Sequence, residues 1–553
     1  MNDSKTLIFT TCYNERDNIG ELIDQIIEYA PGVDILVVDD NSPDGTWDVI
    51  LNKQKEHPNI VGVKRPGKLG IGSAHKYALY YAMRENYRTL VTMDADFSHH
   101  PKFIPALLQA HDKNTFVTGS RYCSGGRSDY KGYRNLVSRL GNIMARRVLG
   151  VHIHELTTYF RVFDVDTLRR LPLRYVAASG YSYGVELIYH LRKAGVELRE
   201  VPIHFEDRTR GASKIPRLQI IRSIVDLFLL GLRRLNFSRD LQPDIFLSDS
   251  CANCQDKVLA MKHFGISDTA PNGKETANEE DLYRCTAVGD RTYPPVYTCL
   301  HCGLEQVPSS AMPQSLKSLY ESVIDLEYLE NIGARERTYR RCFEQIERYL
   351  PSKPGKLVEV GSYCGLFLKE AERQGWRAVG VEPSIWASNY AREVTRVDVH
   401  QGYLSENFEN LDKDYDLVIS WDVLEHVRDP TAFLNECSSL LSEDGIFCIS
   451  TLDIETWMPR LLGKRWPWLM NMHLFYFSRW SIEDVFHRAG LKTVGTHPYV
   501  HFARLRYSFS GASRALPTYL GRPLKLLTNL IPNSLVIPVS FGDIKMYVLK
   551  KRR

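Results

Sequence analysis

Two short apolar runs, each closed by a cluster of acids, constrain the first half of this chain more than any other feature. Asp34-Ile35-Leu36-Val37-Val38 leads into Asp39-Asp40-Asn41-Ser42-Pro43-Asp44-Gly45-Thr46. Some fifty residues later, Thr89-Leu90-Val91-Thr92-Met93 leads into Asp94-Ala95-Asp96. Each run reads as a buried strand that delivers its carboxylates at its C-terminal end. Acids in that position line the crevice where α/β sheets take nucleotides. An Asp-x-Asp pair there can hold a hard divalent cation against a diphosphate. The chemistry indicated is transfer of a sugar from a nucleotide diphosphate.

The remaining length demands more than this one unit. A chain of 553 residues exceeds one ordinary core, so two to four domains are expected. Residues 1–240 carry 34 Lys and Arg against 27 Asp and Glu, while the rest of the chain is slightly acidic. That basic excess fits phosphate ligands or an anionic membrane surface. It is too weak and diffuse for a nucleic-acid partner. The start, Met1-Asn2-Asp3-Ser4-Lys5, lacks the charged and apolar regions of a secretory signal. No apolar stretch reaches the ~18 residues of a spanning helix. The expected location is cytoplasmic, with peripheral contact at the inner membrane face. Most of the eleven Cys are scattered singly and read as reduced, buried thiols.

The opening reads strand, loop, helix. Leu7-Ile8-Phe9 is β-prone, Thr11 to Asn18 is polar, and Ile19, Leu22, Ile23, Ile26 and Ile27 recur at helical spacing. Strands and amphipathic helices alternate to about residue 120, so a parallel sheet is expected. Asn41 to Asp44 can also cap the following helix, beside any role in binding. Six motifs then occur in order: Tyr13-Asn14-Glu15; Val38 to Thr46; Gly70-Ile71-Gly72-Ser73-Ala74; Met93-Asp94-Ala95-Asp96-Phe97-Ser98-His99-His100-Pro101; Gly119-Ser120-Arg121-Tyr122; and Asp207-Arg208-Thr209-Arg210-Gly211-Ala212-Ser213-Lys214. On these motifs, residues 5–235 resemble the dolichol-phosphate mannosyltransferase family. These are inverting polyprenyl-phosphate glycosyltransferases of the GT-A fold.

The resemblance implies that Tyr13, Glu15 and Asp40 hold the nucleoside. It implies that Asp94 and Asp96 carry Mg²⁺ or Mn²⁺ on the diphosphate of GDP-mannose or a UDP-hexose. Arg121, Arg134 and Ser138 would receive the polyprenyl phosphate, and Arg208 would bridge donor and acceptor phosphates. A metal and Arg suit this chemistry, because leaving-group charge must be neutralised as the sugar–phosphate bond breaks. From Arg121 to Arg147 there are six Arg and one Lys against one acid, Asp129. That bias favours an anion, and a solvated basic helix face is the other reading. An ionised phosphate acceptor needs no base, whereas a hydroxyl acceptor does. Glu186 is the only nearby candidate base, and it could equally be a structural helix residue.

Three departures from the family pattern bear on substrate. Ser98 stands where a further metal or donor ligand, often Gln, is usual. Thr11 replaces a usual Pro. Thr157-Thr158-Tyr159-Phe160-Arg161 replaces Thr-Ser-Gly-Phe-Arg, and a Tyr in place of Gly is expected to narrow the acceptor side. Mannose and dolichol are therefore not fixed, and glucose with a bacterial-type polyprenyl phosphate stays open. Residues 214–234 read as one basic amphipathic helix, suited either to a membrane interface or to packing on the domain.

Cys251-Ala252-Asn253-Cys254 and Cys299-Leu300-His301-Cys302 are two Cys-x-x-Cys knuckles. Four thiolates in two such pairs complete a closed tetrahedral site, which indicates structural Zn²⁺. Residues 268–295 read as a loop insertion between them, with Cys285, His263 and His301 outside the ligand set.

Lys356-Leu357-Val358-Glu359-Val360 is a strand feeding the turn Gly361-Ser362-Tyr363-Cys364-Gly365, and a helix follows. A second strand ends at Glu382, where an acid accepts both ribose hydroxyls. The Gly pattern lacks a pyrophosphate cradle, so S-adenosylmethionine fits better than NAD. With Tyr415 to Val427, His473 to Ser478 and the late strand Gly542 to Val548, this half resembles class I methyltransferases with an N-terminal zinc module. The resemblance implies cofactor contacts from Glu359, Gly361, Gly365 and Glu382, with Trp421 and Asp422 near the methionine end. Glu425, His426 and His473 are candidate acceptor-side groups, and a packed His is an equal reading for His426. The acid usual after the third strand is replaced by His400-Gln401-Gly402-Tyr403.

The expected architecture is α/β throughout: a GT-A domain over residues 1–237, a zinc ribbon over 245–315 and a Rossmann-like methyltransferase over 320–553. The expected function is a bifunctional enzyme that transfers a hexose to a polyprenyl phosphate and methylates an unnamed, sugar-class acceptor. Two rivals are transfer to a glycan or glycolipid hydroxyl with Glu186 as base, and a pathway scaffold whose second half is non-catalytic.

Overall fold

The computed structural model describes residues 5–129, 132–173, 176, 182–206, 249–266, 283–286, 292–506, 532 and 535–552, apart from the side chains of residues 132–134, 137 and 182. They group into two compact units, one centred on the first 250 residues and one on the residues from 303 onward.

Among the described residues, the first 250 hold nine strands: β1 (Thr6–Cys12), β2 (Asp34–Asp39), β3 (Ile60–Lys64), β4 (Thr89–Asp94), β5 (Thr115–Ser120), β6 (Arg127–Ser128), β7 (Arg161–Asp164), β8 (Glu197–Pro202) and β9 (His204–Phe205). Seven form one sheet in the order β3-β2-β1-β4-β7-β5-β8, and β6 pairs with β9. Neighbours are parallel except at β7, which runs antiparallel to β4 and β5. The expected parallel sheet is thus mixed, because the chain enters β7 from the edge at which β4 ends: Arg161 pairs with Thr92.

Alternate residues of the central strands go to opposite faces, and both faces are buried. Leu7, Phe9, Leu36 and Leu90 pack on one side; Ile8, Ile35, Val37 and Val91 pack on the other. Burial on both faces is why these runs read as unbroken apolar stretches. Helix Arg16–Tyr29 buries Ile19, Leu22, Ile23 and Ile26 against this second face. The register sets Thr11 of β1 opposite both Val38 and Asp94. Asp39, Asp40 and Asp94 therefore leave the sheet at one edge, beside the point where strand order reverses between β1 and β4.

Next in the chain come β10 (Leu259–His263), β11 (Val296–Cys299) and β12 (Glu305–Gln306). The second unit adds β13 (Lys356–Val360), β14 (Arg377–Glu382), β15 (Val399–Gln401), β16 (Tyr415–Ser420), β17 (Leu441–Leu452), β18 (Phe475–Tyr476), β19 (Leu491–Pro498), β20 (His501–Arg504), β21 (Val536–Val539) and β22 (Ile544–Lys551). Its main sheet has the order β15-β14-β13-β16-β17-β22-β19. The first five of these are parallel, and β22 runs antiparallel to β17 and β19. Strand order reverses at β13 and β16, which puts a second crevice at their C-terminal ends. A small sheet runs β10-β11-β12-β18. No helix among the described residues is long and apolar enough to cross a membrane.

Candidate functional site

In the first crevice the acids do different things. Asp39 is fully buried and accepts from Ser42 N–H at 3.1 Å and Ser42 Oγ–H at 2.5 Å, which closes the turn after β2. Asp44 takes the N–H of Thr46 at 3.0 Å from just before helix Thr46–Glu56, whose N-cap position is Gly45 and not one of the residues 41–44 expected to cap it. Asp40 is held by Arg65. Nε donates to Oδ1 at 2.5 Å, Nη2 pairs with the same oxygen, and Gly70 N–H donates to Oδ2 at 3.1 Å. Arg65 is 1% exposed and also donates to Ser73 Oγ and Gly70 O. Burial keeps the Asp40 carboxyl above its ordinary range despite this guanidinium. The Lys68 ammonium lies 4.1 Å from the centre of the Tyr13 ring. Glu15 accepts from Asn18 Nδ2 at 2.7 Å.

At the end of β4, Asp94 is partly open to solvent and Asp96 is buried. Ser98 donates to Asp96 through both its N–H and its Oγ–H, so it braces an acid where a further ligand was expected. His99 ties this end of the strand to the turn after Glu155. Asp94 N–H donates to His99 Nδ1 at 3.0 Å, so Nε2 carries the proton and donates to Thr158 Oγ1 at 2.6 Å. Burial pushes His99 down to about 4, which keeps it neutral.

Arg121 is 7% exposed and clamped on Glu155, with Nε to Oε2 at 2.7 Å and Nη2 to Oε1 at 3.0 Å. Burial disfavours the Glu155 charge, yet Arg121 and Thr157 offset this and hold its carboxyl below the ordinary range. Ser138 accepts from Tyr122 Oη–H at 2.8 Å, on the helix Gly132–Leu149. Arg134 belongs to that helix, but its side chain lies outside the described residues, as do Arg208 and the whole of 214–234. Tyr159 is buried, its ring stacked on His75 at 4.1 Å with the Arg161 guanidinium 5.0 Å away. Its bulk is thus taken up by packing against His75. Glu186 is buried on helix Ser182–Lys193.

The helix Gly132–Leu149 also leaves Leu136, Leu140, Ile143 and Met144 exposed at helical spacing. Arg139, Arg146 and Arg147 flank that stripe.

The second unit encloses a cavity of about 1300 Å³ over the ends of β13, β14 and β16. Gly361 and Gly365 both have left-handed φ, at +79° and +71°. A Cβ at Gly361 would stand 2.5 Å from Val423 Cγ2, and one at Gly365 2.5 Å from Val397 Cγ2. Glu382 accepts N–H from Tyr363 at 2.7 Å and from Ser384 at 2.8 Å, and burial pushes it up to about 7. Glu359 is buried on β13 with Oε2 lacking any protein partner; burial, then Glu382, push its carboxyl up. Trp421 Nε1 is equally unpartnered, on a side chain that lines the cavity. Asp422, at φ 53°, accepts from Ser450 Oγ–H at 2.6 Å. Tyr403 lines the cavity after β15, where an acid is usual, and its Oη has no partner. The left-handed glycines at both ends of the 361–365 loop and these unpartnered buried groups fit an adenosyl cofactor. Deeper in the cavity, ligand atoms of Glu425, His426 and His473 lie within 4.8 Å of one another.

The Sγ atoms of Cys251, Cys254, Cys299 and Cys302 also lie within 4.8 Å of one another, with Cys254 and Cys299 3.6 Å apart. This is the donor set of one tetrahedral cation. His263, His301 and Cys285 are not in this group.

Sequence reading missed Arg65 and Glu155, whose partners lie 25 and 34 residues away. A buried Arg or Glu inside a predicted apolar layer is the one signal that pointed to them.

Residues 7–171 match Glycosyl transferase family 2, and residues 334–496 match a Methyltransferase domain. Polyprenol monophosphomannose synthase of Mycolicibacterium smegmatis is 35% identical over 239 residues, 42% of this chain and 90% of that protein. Undecaprenyl-phosphate mannosyltransferase of Micrococcus luteus is 32% identical over 229 residues, 41% of this chain and 94% of that protein. Among solved structures, glucosyl-3-phosphoglycerate synthase of Mycobacterium tuberculosis is similar at 20% identity, over 43% of this chain and 82% of that one, with a TM-score of 0.32. That likeness is too slight to bear on chemistry.

Proposed function

We propose, on the premise that this chain belongs to glycosyl transferase family 2 through its first half and carries a methyltransferase domain in its second, that it joins two transferases. The first moves a mannosyl group, with inversion, from a nucleotide sugar to a polyprenyl phosphate. The second moves a methyl group to a sugar-class acceptor. The working boundaries are 1–237, 245–315 and 320–553.

One observation carries the first part: Asp40, Asp94 and Asp96 gather at one sheet edge in a chain whose relatives are named for mannosyl transfer to polyprenyl phosphates. Asp94 and Asp96 would hold Mg²⁺ or Mn²⁺, which supplies positive charge for the diphosphate leaving group. Tyr13, Glu15 and Asp40 orient the nucleoside, with Arg65 fixing Asp40. Arg121, Arg134 and Ser138 receive the acceptor phosphate, and Arg208 bridges the two phosphates. Arg121 enters this site already paired with Glu155, so it orients the phosphate while Arg134 and Arg208 bring net charge. The acceptor is ionised and needs no base.

Ser138 and the exposed stripe Leu136, Leu140, Ile143 and Met144 share one helix. That stripe, flanked by arginines, suits the interface of an anionic bilayer and would bring the site to a lipid acceptor.

In the second unit S-adenosylmethionine supplies the methyl group. Glu382 takes the ribose hydroxyls, Gly361 and Gly365 admit the cofactor close to the backbone, and Trp421 and Asp422 face its methionine end. Glu425, His426 and His473 form the acceptor side. The four knuckle cysteines hold a structural Zn²⁺.

Labelled GDP-mannose and UDP-glucose, each with undecaprenyl phosphate and Mn²⁺ or EDTA, test the first activity by counts in the organic phase. Metal-dependent label from GDP-mannose is expected. No transfer by a protein that binds either donor would overturn the phosphate acceptor and favour a hydroxyl acceptor with Glu186 as base. Calorimetry with S-adenosylhomocysteine tests the second cofactor, and absence of binding would remove the methyltransferase role.

A further inference from the structure

Glu425, His426 and His473 converge from two places in the chain and face the cavity of the second unit. Glu425 and His473 are 2% and 4% exposed. Each of the three side chains is fixed by neighbours behind it. Thr451 Oγ–H donates to Glu425 Oε2 at 2.8 Å. His426 Nδ1 lies 3.0 Å from Met472 O, and His473 Nδ1 lies 2.7 Å from Trp468 O. A carbonyl oxygen can only accept, so each Nδ1 carries the ring proton and each Nε2 keeps its lone pair. Tyr320 Oη, 3.0 Å from His426 Nδ1, then shares that proton as a second acceptor.

The three groups are close, yet none hydrogen-bonds to another. Among the described residues, no Lys or Arg forms an ion pair with Glu425. A buried carboxyl group beside two imidazoles, with ligand atoms within 4.8 Å of one another and no basic side chain paired to the acid, is a donor set that a shared cation would complete. Ligands about 2.0–2.1 Å from one tetrahedral ion stand roughly 3.4 Å apart, beyond hydrogen-bonding reach of one another. Metal-ligating His characteristically donates its other N–H to a carbonyl or carboxylate, and ligating carboxylates are themselves hydrogen-bonded. All three side chains meet that description.

We propose that Glu425, His426 and His473 bind a first-row divalent cation inside the methyltransferase cavity. It would be distinct from the Cys₄ zinc and from the cation on Asp94 and Asp96. Two nitrogens and one carboxylate suit Zn²⁺, Co²⁺, Mn²⁺ or Fe²⁺ and leave coordination positions open toward the cavity. Those positions would take oxygens of the methyl acceptor. That role rests on the proposed methyltransferase activity; the binding of the ion does not.

The test uses the full chain with Asp94→Asn and Asp96→Asn, its knuckle zinc retained, titrated with Co²⁺. One equivalent is expected, with weak visible bands and no thiolate charge-transfer absorption. In Glu425→Gln and in His473→Gln, Co²⁺ affinity is expected to fall by at least ~100-fold, while S-adenosylhomocysteine affinity stays within about twofold and reports an intact fold. Cu²⁺ as a second probe is expected to show echo modulation from two imidazole nitrogens by pulsed EPR in the parent protein. No Co²⁺ bound at 0.1 mM in the parent, on the order of a weak-binding limit, overturns the site. So does binding unchanged in both variants, or a Cu²⁺ signal without two imidazoles. Should either variant misfold, the parent's stoichiometry and imidazole count still decide. None of these readouts depends on sugar or methyl transfer.

Discussion

In the first unit, two of the buried carboxylates come with guanidinium partners: Asp40 with Arg65, and Glu155 with Arg121. In the second, Glu359, Glu382 and Glu425 are buried with no such partner among the described residues, and burial pushes all three carboxyls up. The difference follows the charge of what each site is to hold. A crevice for phosphates gains from acids that are neutralised internally, so that only the metal-binding pair remains open to a cation. A cavity for a cationic sulfonium cofactor gains from acids left without a partner, because the ligand brings the compensating charge. The first site is accordingly built before its substrates arrive, and the second is completed by them.

Removing the open acids of the first site breaks the comparison most severely. Asp94→Ala with Asp96→Ala is expected to lower sugar transfer by about 10³-fold, with methyl transfer from S-adenosylmethionine unchanged. Equal losses in both assays would mean the two units are not chemically separate.

Glu155→Ala removes the carboxylate that faces the buried Arg121 guanidinium, and is expected to cost about 3–5 kcal/mol in the first unit's unfolding transition. The double variant Arg121→Met with Glu155→Leu is expected to recover most of that in a denaturant melt. Glu359→Gln is expected to leave the cofactor-free second unit as stable or more so, since burial disfavours its charge and no basic side chain pairs with it among the described residues.

Gly361→Ala sharpens the claim that the second cavity waits for its cofactor. The new Cβ would meet Val423 Cγ2 at a left-handed position. S-adenosylhomocysteine affinity is expected to fall by roughly 100-fold, while the first unit's melting transition stays in place.

The pH response separates the units by sign. Glu382 at about 7 and Glu425 at about 8 keep protons in the folded state that the unfolded chain releases near 4.5. Their contribution is full below about 4.5 and is lost as pH rises to about 8; below 6.5 the buried neutral His426, at about 4, opposes it, so the net loss of stability of the cofactor-free second unit is expected between pH 6.5 and 8. His99 at about 4 is buried neutral and takes up a proton only on unfolding, which begins near its ordinary 6.5. The first unit is therefore expected to hold steady above pH 6.5 and to weaken as pH falls below it. Melts at pH 6.5 and 8 separate the units and a melt at pH 5 checks the first; parallel shifts of the two transitions between pH 6.5 and 8 would sink the comparison.

The smallest effect concerns the exposed stripe. Leu136→Asp with Leu140→Asp is expected to change stability by no more than about 0.5 kcal/mol per site, while weakening flotation with anionic vesicles. A large loss of stability would mean that this face packs against protein.

What could be read from the amino-acid sequence was whatever a few consecutive residues encode. Two strands ending in acids, a Gly361-to-Gly365 loop after a third, and two Cys-x-x-Cys pairs are local patterns. Backbone periodicity and ligand spacing make them legible without knowing the neighbours. Tertiary structure alone decided the partners. Arg65 locks Asp40, Glu155 neutralises Arg121, and His99 joins Asp94 to Thr158. Tyr159 stacks inward on His75, and β7 enters the sheet reversed. Glu425 and His426 acquire His473 from 47 residues further on, together with the carbonyls that set their tautomers. Each of these depends on a group brought close only by folding, and burial then makes that pairing matter. A charge removed from water is governed by its nearest neighbours in space, which the order of residues along the chain does not reveal.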